Sequence, residues 1–289
     1  MLFQKIEKPF YRKKESIQLN GRLIQLNKPV VMGILNLTPD SFYEGSRYQQ
    51  EKEILVRAEE ILLEGGLIID IGAVSTRPGA TFVSEGAELE RLLPAVRVIR
   101  QHFPEANLSI DSYRSGVVAK VYDEIGGFLV NDISGGNMDG QMFETVAKLG
   151  LPYILMHIQG TPDTMQKNPT YQDVVKDILL ALSEKINTLK LLGVNDIIVD
   201  PGFGFGKNLR HNYDLLNSLD SFRLFELPLL VGVSRKAMIW KLLDSSPGES
   251  LNGTTVLNTL SLMGGADILR VHDVREAVET VKLVSEIKK

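Results

Sequence analysis

Eight short apolar runs recur along this chain with a helical pattern after each, and that alternation constrains the fold more than any other feature. The runs are VVMGILN (30–36), LIIDIG (67–72), LSID (108–111), FLVND (128–132), YILMH (153–157), DIIVD (196–200), LLVGV (229–233) and DILRV (267–271). Near-continuous apolar character is expected of parallel strands covered on both faces. Helical patterns fill 51–66, 85–103, 113–127, 140–150, 171–193, 213–222, 253–265 and 274–289, several ending in glycine. Eight strands alternating with eight helices is the count of an α/β (β/α)8 TIM barrel. The competing doubly wound open sheet usually has fewer strands, and no dinucleotide fingerprint supports it. SIQLNGRLIQL (16–26), two alternating segments around Asn20-Gly21, predicts a type I′ hairpin that closes the bottom of the barrel. One domain then spans 1–289, with 1–27 as N-terminal extension and hairpin.

Composition narrows the function. With 289 residues, 44% hydrophobic and 24% charged, the chain can bury a large core. A net charge of −4 gives no basic field for nucleic acid. The absence of cysteine excludes disulfides, thiolate catalysis and cysteine-based zinc sites. The N-terminal MLFQKIEKPFYRKKES lacks a signal-peptide core, and no apolar run approaches the roughly 18 residues of a membrane helix. The expectation is a cytoplasmic protein with neither membrane nor nucleic acid as partner.

Barrel active sites lie at the C-terminal strand ends. Here those ends carry Asn36, Asp111, Asn131, Met156, His157, Asp200, Ser234, Lys236, Arg270 and His272, with Ser75, Thr76 and Arg77 after the second run. Asp132 and Asp273 read as turn formers or caps, Asp70 as a core hydrogen-bonding group, and His157 as structural. His102 and His211 read as solvated. Asp111, Asn131, Asp200 and Lys236 together offer donors and acceptors that suit a flat amide-like bicycle such as a pterin or purine. Arg270, His272, Asn36 and the 75–77 segment suit a phosphate or diphosphate, with Asn36 as an oxygen ligand for Mg²⁺.

IIVDPGFGFGK (197–207) resembles a phosphate loop only superficially. A P-loop requires Gly-x-x-x-x-Gly-Lys-Ser/Thr, and here, with Gly206-Lys207 in register, Pro201 stands at the first glycine position and Asn208 at the Ser/Thr position. The glycines are read as letting backbone approach the barrel mouth, with Phe203 and Phe205 as an apolar wall beside Lys236 for an aromatic second substrate. Segments 38–50 and 75–87, rich in Gly, Ser, Thr and Pro, read as long loops over the mouth.

VVMGILNLTPDSF, STRPGA, LSIDSYR, VNDISGG, LMHIQGTPDTMQ, VDPGFGFGK, GVSRK and RVHDV resemble, in order, the signature segments of the dihydropteroate synthase family. The resemblance covers about 30–273. It implies a folate-pathway transferase joining 6-hydroxymethyl-7,8-dihydropterin diphosphate to para-aminobenzoate, with Mg²⁺ as cofactor and a homodimer as assembly. It further implies that Asp111, Asn131, Asp200 and Lys236 hold the pterin, with Met156 on the ring. Asn36, Arg77, Arg270 and His272 would meet the diphosphate, with Mg²⁺ at Asn36. Thr76, Pro78, Phe205, Ser234 and Lys236 would surround the aminobenzoate. Asp111, Lys236, Arg270 and His272 would carry the catalysis. Two places depart from the family pattern: Gly72-Ala73-Val74-Ser75-Thr76 replaces Gly-Gly-Glu-Ser-Thr, and Ala237 stands where Ser often follows the lysine. A methyltetrahydrofolate methyltransferase module and a non-catalytic pterin-binding paralogue are the alternatives. The first should lack the STRPG, SRK and RVH segments present here.

Overall fold

The computed structural model describes residues 13–37, 47–75 and 82–287. β1 (Ser16–Leu19) and β2 (Arg22–Gln25) pair antiparallel. Their turn places Asn20 at φ 49° and Gly21 at φ 76°, the two positive angles of a type I′ hairpin. Eight parallel strands follow: β3 (Val30–Asn36), β4 (Ile68–Gly72), β5 (Asn107–Asp111), β6 (Leu129–Asp132), β7 (Tyr153–Met156), β8 (Ile197–Asp200), β9 (Leu230–Val231) and β10 (Ile268–Val271). They run in the order β8-β7-β6-β5-β4-β3-β10-β9. A parallel bridge from Val199 to Leu229 joins the two edges and closes the barrel.

Helices α1 (Arg47–Leu63), α2 (Glu85–His102), α3 (Ser115–Ile125), α4 (Met142–Leu149), α5 (Val174–Leu191), α6 (Leu209–Asn217), α7 (Ala237–Trp240), α8 (Leu251–Gly264) and α9 (Val274–Ile287) fill the connections. Several bounds differ from the sequence expectation. α6 begins at Leu209 because Asn208 caps it in a capping box with His211, and a 3₁₀ turn over Leu219–Phe225 replaces its expected end. His211 is therefore a capping residue rather than free surface. β9 is two residues long, and α7 was not anticipated. The expected loops are also shorter, since α1 starts at Arg47 and Ser84 caps α2 by accepting from Ala87 N–H.

The strand interior follows a period of two. Met32, Ile68, Leu129, Ile154, Ile198, Leu230 and Ile268 form one apolar cluster with Ile17, Leu19, Ile24 and Leu26 of the hairpin. The hairpin thus plugs the N-terminal end of the barrel, as the sequence predicts. Intervening residues such as Val31, Ile69, Val130, Leu155, Val199 and Leu269 belong to the larger core shared with the helices. Two residues beyond the apolar floor, the same inward face carries Asp70, Asn131, Met156, Asp200 and Arg270. Apolar floor, polar mouth and apolar jacket are thus written into alternate positions of the same strands.

Candidate active site

At the centre of the mouth lies a buried charge cluster. Arg270 donates from Nε to Asp70 at 2.6 Å and from Nη2 to Asp111 at 2.7 Å. Asn131 Nδ2 donates to the same Asp70 carboxylate at 3.1 and 3.3 Å. Asp70 is 0% exposed, and these two donors satisfy its buried carboxylate. Burial works against the Arg270 guanidinium, but Asp70 and Asp111 together raise its pKa. Burial also raises Asp111 to about 7, with Arg270 opposing. The register aligns Asn36 with Gly72 and Gly72 with Asp111, so Asn36 stands in the same layer of the rim.

The second element is the loop after β8. Asp200, 6% exposed, accepts from Gly202 N–H at 2.7 Å. Burial raises its pKa, with Lys236 the foremost opposing charge. Lys236 donates to the Phe203 carbonyl and sits 4.7 Å from the centre of the Phe205 ring. Burial lowers Lys236 to about 8, while Asp200 pulls it back up. Phe205 packs with Met156, Ile158, Met165 and Ile133 as a wall of the mouth. Phe203 does not: it is 0% exposed in the outer core and offers only its carbonyl, which corrects the expected pair of phenylalanine walls.

Gly202, Gly204 and Gly206 have φ of 73°, 81° and 63°. At Gly202 any Cβ would also strike the His157 carbonyl, so close approach and backbone angle both demand glycine there. Gly202→Ala is expected to lose at least about 2 kcal/mol of stability, read as a shift in the urea midpoint. A midpoint matching the wild type would show that the loop relaxes freely.

Arg270 and His272, both expected at the anion, have different protein partners. Arg270 lies on Asp70 and Asp111, while His272 faces Ser234, with Nδ1 3.1 Å from the hydroxyl. Thr76, Arg77 and Pro78 lie outside the described residues. Their neighbour Ala73 is buried, and its carbonyl accepts from Arg91 at 3.1 Å. Arg235, between the expected site residues Ser234 and Lys236, makes a two-pronged ion pair with Asp273. Asp132 is the turn former it was read as, accepting from Ser134 N–H, Gly136 N–H and Tyr153 Oη. His157 lies against Lys207 and is held neutral, chiefly by burial, at about 2.

Asp70 is the core hydrogen-bonding group it was read as, and its position two residues beyond an inward isoleucine also points it at the mouth. One group escaped the sequence reading. Lys207 was weighed only as part of a failed phosphate-loop pattern, yet it is 2% exposed and central to the β8–α6 loop.

A closed barrel with carboxylates, an amide and two cations gathered at its C-terminal rim is the architecture of an enzyme that holds a planar heterocycle. The profile of the family described as pterin binding enzyme matches residues 32–272. Dihydropteroate synthase of Escherichia coli K12 is 43% identical over 266 residues, covering 91% of this chain and 93% of that protein. The crystal structure of the Yersinia pestis dihydropteroate synthase in a sulfonamide drug complex superposes with a TM-score of 0.88 at 42% identity, covering 94% of this chain and 99% of that one. The Xanthomonas albilineans dihydropteroate synthase with 4-aminobenzoic acid gives 0.87 at 32% identity, covering 95% and 98%. The chain belongs to the pterin-binding enzymes, and among them to the dihydropteroate synthases, which are transferases of folate biosynthesis.

Proposed function

We propose that the barrel mouth condenses 6-hydroxymethyl-7,8-dihydropterin diphosphate with para-aminobenzoate, giving 7,8-dihydropteroate and diphosphate. The observation that carries this reading is the inward-facing set Asp111, Asn131, Asp200, Lys236 and Arg270 on one polar layer above the apolar floor. Asp200 accepts from a ring edge that presents an N–H and an amino group. Asn131 and Lys236 address the remaining pterin heteroatoms, and Met156 packs on the ring. Phe205, Ser234 and Lys236, with Thr76 and Pro78, surround the aromatic amine.

The reaction breaks the bond between the pterin methylene carbon and the diphosphate oxygen, whose electron pair leaves with diphosphate. The amine nitrogen then bonds to that carbon and releases a proton. The departing anion is met by Arg270, His272, Asn36 and Arg77, while the Asp111 carboxylate stabilises positive charge building on the pterin. For Arg270 to reach the anion it exchanges its Asp111 bond and keeps Asp70 at Nε.

Among the described residues no three His, Asp or Glu gather as metal ligands. The single amide oxygen of Asn36 suits Mg²⁺, which keeps several waters and binds substrate phosphates rather than an all-protein cage. When bound, Mg²⁺ would neutralise charge on the leaving group. A cytoplasmic location and a homodimer complete the reading. For the dimer, α8 offers an apolar stripe in which Val256, Leu260 and Met263 are 51%, 49% and 46% exposed, and sedimentation of the purified chain tests it.

Turnover with the pterin diphosphate and para-aminobenzoate, scored by diphosphate release, tests the function, and a lack of release overturns it. His272→Ala should weaken the diphosphate substrate about tenfold and leave a pterin lacking diphosphate little changed. Equal losses for both ligands would put the anion site elsewhere.

A further inference from the structure

The β8–α6 loop turns its carbonyls toward side chains of other elements. Phe205 N–H donates to Gly202 O at 3.1 Å and closes the turn. The positive φ at Gly202, Gly204 and Gly206 then points successive carbonyls in different directions. Lys207 Nζ donates to Gly202 O at 2.8 Å and Phe205 O at 2.9 Å. Gln166 Nε2 donates to Gly204 O at 2.6 Å, and Tyr171 Oη to Gly206 O at 2.8 Å. Lys236 takes Phe203 O. Every carbonyl from 202 to 206 is therefore tied by a side chain, the accounting a buried backbone requires.

Lys207 is the centre of this arrangement. Its Nζ also lies 3.1 Å from His157 Nδ1 and 3.4 Å from His157 O. The two short carbonyl contacts and the His157 ring nitrogen account for the three N–H donors of an ammonium, with His157 O at the longest distance. Burial lowers the Lys207 pKa to about 7, with the Asp200 charge opposing, and the neutral His157 ring adds an acceptor rather than a second cation.

We propose that Lys207, with Gln166 and Tyr171, positions this loop for the aromatic amine, setting the place of the Phe205 ring beside Lys236 without touching either substrate. Phe205 is held from behind through its own carbonyl by Lys207. The backbone of Asp200 is anchored apart from the loop, because it sits in the β7–β8 ladder and His157 N–H donates to its carbonyl at 3.0 Å, and the outer tethers Gln166 and Tyr171 bond neither Asp200 nor its partners Gly202 and His157. Loss of an outer tether should therefore shift the amine wall and spare the pterin floor. The inference rests on the reading that Phe205 and Lys236 line the aminobenzoate pocket.

The test measures KM for para-aminobenzoate and pterin affinity, by calorimetry, in Lys207→Met, Gln166→Ala, Tyr171→Phe and Phe205→Ala. Lys207→Met should raise the amine KM about tenfold and the two outer-tether variants about threefold, and in the outer-tether variants, which leave the Asp200–Lys207 charge pairing in place, pterin affinity should change by less than about twofold. If Lys207→Met does not fold, Gln166→Ala and Tyr171→Phe, each removing one tether, carry the test. Amine and pterin losses in equal proportion in the outer-tether variants, or an unchanged amine KM in all tether variants, would overturn the inference. Phe205→Ala separates the two levels. A raised amine KM there beside unaffected tether variants overturns the positioning role alone, whereas an unaltered KM in Phe205→Ala overturns the pocket assignment itself.

Discussion

Asp200→Asn is expected to lower pterin affinity by about two orders of magnitude, the loss of charged hydrogen bonds worth roughly 3 kcal/mol. The carboxylate lies at the inward tip of β8, 6% exposed, among donors: the Gly202 amide bonds it directly, and Lys236, Lys207 and Arg270 all oppose its burial. An amide there presents N–H groups to donors on every side, the ring edge included. The same change has a stability signature. Asp200 raises the pKa of both Lys207 and Lys236 against burial, which already holds them at about 7 and about 8. Without Asp200 both fall further below the value of 10.5 that an unperturbed lysine has. A lysine with a depressed folded pKa binds fewer protons when folded than when unfolded, so stability rises with pH between the two values. The variant's deficit should thus narrow from neutral pH toward about pH 10. Calorimetry showing unchanged pterin affinity would sink the assignment of Asp200 to the heterocycle.

Arg270→Ala should cost about 3 kcal/mol of stability at about pH 8, beyond any effect on substrate. Breaking a buried ion pair leaves an uncompensated charge; here one guanidinium serves two carboxylates, of which Asp70 is 0% exposed. The figure is at the low end for buried pairs because the Arg270 side chain keeps 21% of its surface exposed. Asp111 already sits near 7 with Arg270 opposing the rise, and removing the cation lifts it higher. A carboxylate whose folded pKa is raised contributes most below its unfolded value and loses that contribution as pH rises through the folded one. The deficit should therefore shrink at about pH 5.5, where the folded variant takes up the proton. Denaturant unfolding at both pH values reads this directly. An equal deficit at each would mean that the cluster holds together by packing rather than by charge balance.

The barrel was legible because eight apolar runs with helical patterns between them admit few topologies, and the Asn20-Gly21 turn signal located the hairpin plug. Strand-tip chemistry was legible for the same reason: position at the end of a run fixes the rim without knowledge of any contact. Pairings were not legible. Arg270 and His272 are two residues apart, and nothing in their spacing shows that their protein partners differ, Asp70 and Asp111 in one case and Ser234 in the other. Phe203 and Phe205 share a motif and an expected role, yet they point into opposite compartments.

What the sequence determined by itself is the alternation of elements, the identity of the polar tips, the membership of the family and the glycine loop. These depend on local periodicity and on residue type at a position, both of which a linear string displays. Tertiary structure alone decided which charges share a partner, and that Lys207 is buried among carbonyls rather than a solvated loop lysine. The physical reason is that burial and ion pairing are properties of neighbours distant in the chain. Arg270 meets Asp70 across 200 positions and Asp111 across 159, and only the placing of β10 beside β3, β4 and β5 in one curved sheet brings them within hydrogen-bonding distance.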